Sequence, residues 1–381
     1  MKKIKYFIIL FLLSIPLYPR PQYTMLTGNR CINCHTNYQG GALRNELGIY
    51  SRSSFFSLDN RTNEFIDKLT QFSSQFDNKL RYGADFRVQS AKLGSPSQSK
   101  RETFIMQATP YLFIKPFQWL EIYGSYNLNP RIYENQSRYI TFINFKPDIN
   151  LPELKIGNIK PSIGNQYDDH TLLIRQIAGP LKATPILPPD YSELGFELSH
   201  DYNKIFNTHF GIFKTDNISK IKLNNKSIVN IKSIAKLIRV AFNPRFQSNQ
   251  INTNFGASYY FSNDFFMTNI FLHLGWTDNL SFISEYLIAE NKNLIKINSY
   301  FIEFLYHLYE SADINFRYEK ASSNYSFNTP NITQYQTNQY VFGMNLYILP
   351  FIEIRPEFRI YDRQFVEGYH SQWTFQIHFY Y

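Results

Sequence analysis

The stretch SQWTFQIHFYY, residues 371–381, decides the fold. In an extended chain, successive side chains point to opposite faces. Trp373, Phe375, Ile377, Phe379 and Tyr381 then share one face, while Thr374, Gln376, His378 and Tyr380 share the other. Working back along the chain, residues 351–361 set Ile352, Ile354, Pro356, Phe358 and Ile360 against Glu353, Arg355, Glu357, Arg359 and Tyr361. Residues 80–89 set Leu80, Tyr82, Ala84, Phe86 and Val88 against Arg81, Gly83, Asp85, Arg87 and Gln89. Residues 300–308 and 313–319 keep the same period of two, the mark of strands with one apolar and one polar side.

Composition extends the pattern to the whole chain. Aromatic residues make up 18% of the 381 residues, with 29 Tyr and 35 Phe, yet the mean hydropathy is negative. A soluble sandwich also alternates, but it buries its apolar face in one core and seldom sustains the pattern over about 300 residues. A membrane barrel alternates lipid-facing apolar residues with polar lumen residues and adds aromatic girdles, which accounts for both numbers. The last strand, ending on Tyr381, resembles the C-terminal signal of outer-membrane barrels, where Phe is the usual final residue. The expected fold is therefore all-β, a transmembrane outer-membrane β-barrel of about 16 antiparallel strands. Residues 115–118 and 349–350 read as short periplasmic turns, and residues 92–101, 216–226 and 322–337 as extracellular loops. Pro356 cannot donate to a ladder and predicts a bulge or local break.

The N-terminus is a different object. Met1-Lys2-Lys3-Ile4-Lys5 followed by the apolar run Tyr6 to Leu13 is the basic and apolar part of a bacterial secretory signal, placed at residues 1–20. Both cysteines of the chain follow, Cys31 and Cys34, with His35 directly after. In an exported protein this spacing admits a local disulfide, a thiol redox pair, half a zinc site or a covalent haem. The histidine favours the last: C-x-x-C-H attaches haem c through two thioethers and supplies the proximal iron ligand. Zinc needs further ligands, and a redox pair needs a βαβ setting that the sequence lacks. The expected organisation is a signal peptide over 1–20, a haem-binding plug segment over 21–72 and a barrel over 73–381.

This arrangement resembles the fused monohaem c-type cytochrome-porins of bacterial outer membranes, known as iron oxidases. In that family a short stretch with Pro and an aromatic leads into T-G-x-x-C-x-x-C-H and then a barrel; Pro21, Tyr23, Thr27, Gly28, Cys31, Cys34 and His35 stand in that order here. Leu43 to Gly48 is similar to the leucine and glycine that follow the motif, whereas Tyr23-Thr24-Met25-Leu26 replaces the usual Phe-Ala-Arg-Gln. The resemblance implies an outer-membrane protein with one covalent haem c that oxidises external Fe(II), or a similar donor, and passes electrons to a periplasmic c-type cytochrome. Such an activity would be an iron(II):cytochrome c oxidoreductase. The alternative is a porin-like channel for small solutes with a structural or regulatory haem plug.

Further residues bear on the same expectation. Arg81, Arg87, Arg355 and Arg359 sit on polar strand faces, where they suit either haem propionates or ordinary channel lining. The sixth iron ligand is open among Met25, Met106, Met267 and Met344 and the histidines at 170, 200, 209, 273, 307, 370 and 378. Asp168, Asp169 and His170 are oxygen and nitrogen donors of the type that bind divalent iron; the competing reading is a strand cap at a barrel mouth. The net charge of +9 is expected to line a lumen or meet anionic outer-membrane lipid rather than nucleic acid, since no basic cluster of a nucleic-acid binder is evident.

Overall fold

The computed structural model describes residues 24–25, 75–76, 79–93, 100–148, 150–165, 171–179, 183–246, 250–277, 279–309, 311–326, 333–349, 352–364 and 366–380. Sixteen antiparallel strands close on themselves. They are β1 (Leu80–Leu93), β2 (Lys100–Phe117), β3 (Leu120–Tyr126), β4 (Tyr139–Phe145), β5 (Glu153–Ile159), β6 (Glu193–Tyr202), β7 (Phe206–Lys214) and β8 (Ile234–Phe242). The second half comprises β9 (Ile251–Phe261), β10 (Phe265–Trp276), β11 (Leu280–Asn291), β12 (Ile295–Tyr309), β13 (Ala312–Tyr325), β14 (Thr333–Leu349), β15 (Ile352–Arg363) and β16 (Val366–Tyr380). Each strand pairs with its sequence neighbours, and β16 closes on β1, from Asp85 opposite Tyr380 to Ala91 opposite Thr374. Closure satisfies every wall strand on both sides, so the fold can sit in hydrocarbon without an open edge.

The alternation sorts as expected. On β16, Trp373, Phe375 and Ile377 face outward and exposed, while Thr374, Gln376 and His378 are buried inside. Outward aromatics gather in two belts. At the end with short turns, Phe117 stacks on Trp119 at 5.3 Å, and Tyr202, Phe206, Phe242 and Phe255 form a continuous row with centroid spacings of 5.9, 4.7 and 5.5 Å. Towards the opposite end, Tyr300, Tyr318 and Tyr340 run in series at 5.8 and 5.0 Å. The short-turn end is the periplasmic one by the rule for such barrels.

Strand ends depart from the sequence reading. β2 runs through Lys115 and Pro116 to Phe117, leaving a turn at Gln118 and Trp119. Strand structure also enters the expected loops at both ends: β1 reaches Leu93, β13 reaches Tyr325 and β14 begins at Thr333. Polar side chains extend strands here because pairing continues beyond the bilayer, where water tolerates them. Pro356 gives the expected local break, on the β14 side, and no bulge: β15 keeps one register with β16 through Pro356 opposite Phe375. On its β14 side the ladder resumes at Leu346 opposite Ile354 with the register unchanged after Gly343 opposite Glu357.

Candidate functional site in the barrel lumen

Between β5 and β6, the described residues 160–165, 171–179 and 183–192 fold back into the lumen instead of standing outside it. They are pinned to strands around most of the wall. Ser162 donates to Glu197 of β6 at 2.5 Å. The Gly164 amide donates to Ser258 of β9 at 2.9 Å, and Arg239 of β8 donates to the Gly164 carbonyl at 3.1 Å. Asn165 meets His273 of β10 at 2.8 Å. Further on, Arg359 of β15 donates to Thr171 at 2.7 Å, the Leu173 amide donates to Glu319 of β13 at 2.5 Å, and Tyr325 donates to the Ala178 carbonyl at 2.8 Å. The segment thus crosses the barrel.

An apolar reason accompanies these polar pins. Ile163, Leu172, Ile174, Ile177, Ile186 and Leu187 of this segment pack with Ile218, Ile221, Ile228 and Val229 of the β7–β8 connection against Phe213, Tyr260, Met267, Leu287 and Phe301 of the wall. Strand positions that would be polar in an open channel are apolar where this core forms. Burial of each such side chain is worth roughly 1.5–3 kcal/mol, so the two segments and the wall hold one another.

The rest of the wall is charged and paired. Asp85 and Arg87 on β1 bond at 3.1 and 3.2 Å, and His378 bridges Asp85 at 3.0 Å and Glu353 at 3.2 Å. Arg355 meets Glu357 at 2.9 Å, and Arg359 also pairs with Glu357. Arg317 binds Glu319 at 2.7 Å and Glu303 at 3.2 Å. His307 meets Asp313 at 2.7 Å and His209 meets Glu197 at 2.8 Å. These groups are enclosed: Arg317, Glu319 and Asp313 have 0% of their surface exposed. Buried charges persist when each has its counter-charge and hydrogen bonds.

The residues that the sequence nominates fall unevenly around this lumen. Arg81, Arg87, Arg355 and Arg359 are all buried on the lumen face of β1 and β15. Arg81 lies over the Phe113 ring at 5.3 Å, and the other three are engaged by Asp85 or Glu357. Of the methionines, Met267 belongs to the apolar core, and Met106 sits at the β-bulge of β2, where Gln376 donates to its sulfur at 3.1 Å. Cys31, Cys34 and His35, and also Asp168, Asp169 and His170, lie outside the described residues. On either side of the latter three, Asn165 and Thr171 are inside the lumen, held by His273 and Arg359, and the preceding strand β5 ends at Ile159. The neighbouring Ile163 and Leu172 are drawn into the apolar core. Among the described residues no group of three or more His, Cys, Asp or Glu is arranged to hold a metal.

Of the expected haem-binding segment, Thr24 and Met25 are described, and both are buried. The Met25 carbonyl accepts from Asn252 of β9 at 2.9 Å, and a Cβ at Gly275 of β10 would overlap that same oxygen. Glycine is needed here because the segment's backbone rests directly on the wall. Asn252 and Gly275 pair in register near the short-turn ends of their strands, so this contact lies at the periplasmic mouth. Neither residue carries a signal in the sequence that would single it out.

No protein-family model matches this chain, and no protein of curated function is similar to it in sequence. Its fold is similar to that of OprB from Pseudomonas putida at high pH, with a TM-score of 0.56, 10% identity, and coverage of 80% of this chain and 94% of that one. The outer-membrane channel DcaP of Acinetobacter baumannii gives a TM-score of 0.52 at 8% identity over 79% of this chain and 97% of its own. An anion-selective porin from Comamonas acidovorans gives 0.52 at 9% identity over 79% and 99%. The likeness is one of fold, that of a multi-pass bacterial outer-membrane β-barrel of the porin type.

Proposed function

We propose that the protein is a porin-like outer-membrane barrel whose N-terminal segment carries one haem c at its periplasmic mouth. Cys31 and Cys34 would hold the haem and His35 would ligate its iron. When bound, the group would accept and release single electrons. Support for the placement comes from Met25 on Asn252 and Gly275; Cys31 follows Met25 by six positions, a reach of at most about 20 Å. The lumen arginines fit propionates as partners shared with Asp85 and Glu357. Asp168, Asp169 and His170 remain the proposed contact for external iron.

Two uses of such a barrel follow. Likeness of fold favours a channel for small solutes, with the haem segment as a structural or regulatory plug; a charged wall beside a loop that crosses the lumen is the observation that carries it. The second use is electron transfer from external Fe(II), or a similar donor, to a periplasmic cytochrome, as an iron(II):cytochrome c oxidoreductase. It is favoured by the enclosure of Arg317, Glu319 and Asp313, since groups that line a wide aqueous path are wetted. Proteoliposomes distinguish the uses: a channel passes sugars and leaves the haem band unchanged with ferrous iron, and a conduit does the reverse. Absence of a Soret band in the purified protein, or a Cys34→Ser variant that retains it, overturns the haem in both.

A further inference from the structure

We propose that the connection between β7 and β8 is a binding site for the phosphates of an anionic lipid headgroup in the outer leaflet. Residues 214–236 read KTDNISKIKLNNKSIVNIKSIAK, six lysines against the single acid Asp216. All six, Lys214, Lys220, Lys222, Lys226, Lys232 and Lys236, are exposed. The distribution follows the fold of the segment: its apolar residues Ile218, Ile221, Ile228 and Val229 are drawn into the lumen core, and the lysines are left on the opposite side.

The platform beneath these cations is ordered. Residues 222–223 pair with 226–227 around Asn224 and Asn225, whose φ angles of 48° and 61° make the tight turn for which asparagine is suited. Glu193 accepts from the amides of Asn217 and Ile218 at 2.9 and 2.8 Å, and Thr215 bonds Ser233 at 2.9 Å, which fastens the two ends of the segment together. Asn291 of β11 donates to the Ile228 carbonyl at 2.9 Å. Charge held on such a base is displayed without a large loss of side-chain and backbone freedom on binding.

Position selects a lipid over a soluble anion. Lys214 and Lys236 are outward residues at the loop ends of β7 and β8, and Lys236 stands opposite Phe261 of β9. Phe261 stacks on Tyr259 at 4.8 Å, and Tyr259 lies 6.1 Å from Phe266, which makes an aromatic belt at this level. Aromatic side chains of that kind mark the headgroup region. Ile231 and Ile234 are 65% and 59% exposed beside Lys232 and Lys236. Bare isoleucines beside lysines suit the border of acyl chain and headgroup, where the apolar part is buried and the ammonium reaches a phosphate. The site stands apart from the lumen and does not depend on the haem.

The test uses full-length protein in detergent, with purified lipopolysaccharide as the probe and the same material after dephosphorylation as its control. Each lysine near a charged lipid surface contributes a factor of roughly five, so Lys214→Gln, Lys232→Gln and Lys236→Gln together are expected to weaken binding on the order of 100-fold. Because these side chains are exposed, the triple variant should keep its heat-modifiable mobility on gels. Unchanged binding by the triple variant overturns the proposal, as does equal binding of the dephosphorylated probe. Displacement by free inorganic phosphate at matched phosphate concentration also overturns it, by making a soluble anion the ligand.

Discussion

Gly164→Ala should unseat the segment that crosses the lumen. Gly164 has a φ of +58°, and a Cβ there would overlap Oε1 of Glu285 and lie 2.6 Å from Oδ1 of Asn269. Alanine in the left-handed region costs about 1–2 kcal/mol. The clash adds roughly 1–3 kcal/mol, because Glu285 and Asn269 are buried and bonded to each other at 2.5 Å, so neither moves aside without losing a partner. The sum, about 2–5 kcal/mol, changes the ratio of seated to unseated segment between about 30-fold and a few thousand-fold. Single-channel recording in planar bilayers reads this directly: conductance should rise or become unsteady, with a lower melting temperature by circular dichroism. Gly124→Ala is the control, since its Cβ would meet nothing nearer than Thr141 Cγ2 at 4.0 Å. Gly164→Asn separates the two costs, because asparagine tolerates the backbone angle but keeps the clash. If Gly164→Ala and Gly124→Ala give the same conductance and melting, the seat does not rest on Gly164 and the reasoning is refuted.

Two further outcomes follow from the same contacts. Gly275→Val should drive the Met25 backbone off the wall, so that trypsin cleaves after Arg30 and Arg44 and frees the intervening peptide; protease resistance equal to that of the unaltered protein would show that the contact holds nothing. Burial pushes the Asp190 carboxyl above its ordinary range, outweighing the attraction of Lys160 and the hydrogen bonds from Asn127 and Gln136. The folded value is the raised one, so the stability from this group is full below the ordinary carboxylate range and is lost as pH rises through the folded value. Melting of the unaltered protein should therefore gain, on acidification from neutral pH, relative to Asp190→Asn; parallel pH profiles would exclude that link.

The like-face pairs were open to sequence reading because residues two apart share a strand face: Asp85 with Arg87, Arg317 with Glu319, and Arg355 and Arg359 around Glu357. Their cross-strand partners were not. Asp85 and His378 meet only because the first strand closes on the last. The inward fold of the described residues between β5 and β6 was equally hidden. Its isoleucines and leucines follow neither the strand nor the helix period, and an isolated apolar residue in a loop does not announce which surface will cover it.

Local chemistry along the chain was therefore enough to establish a barrel of about 16 strands and the two-faced alternation of segments such as 80–89, 351–361 and 371–380, and it displays a C-x-x-C-H run at residues 31–35, on which the proposed haem rests. Period-two alternation is a property of neighbouring residues, and the motif is contiguous, so neither requires a third dimension. What stands inside the barrel, how far each strand outruns the bilayer, and which wall residues touch the N-terminal segment were decided by closure. Contacts between residues such as Met25 and Gly275 exist only after a curved sheet has returned to its own first strand and enclosed a volume that something must fill.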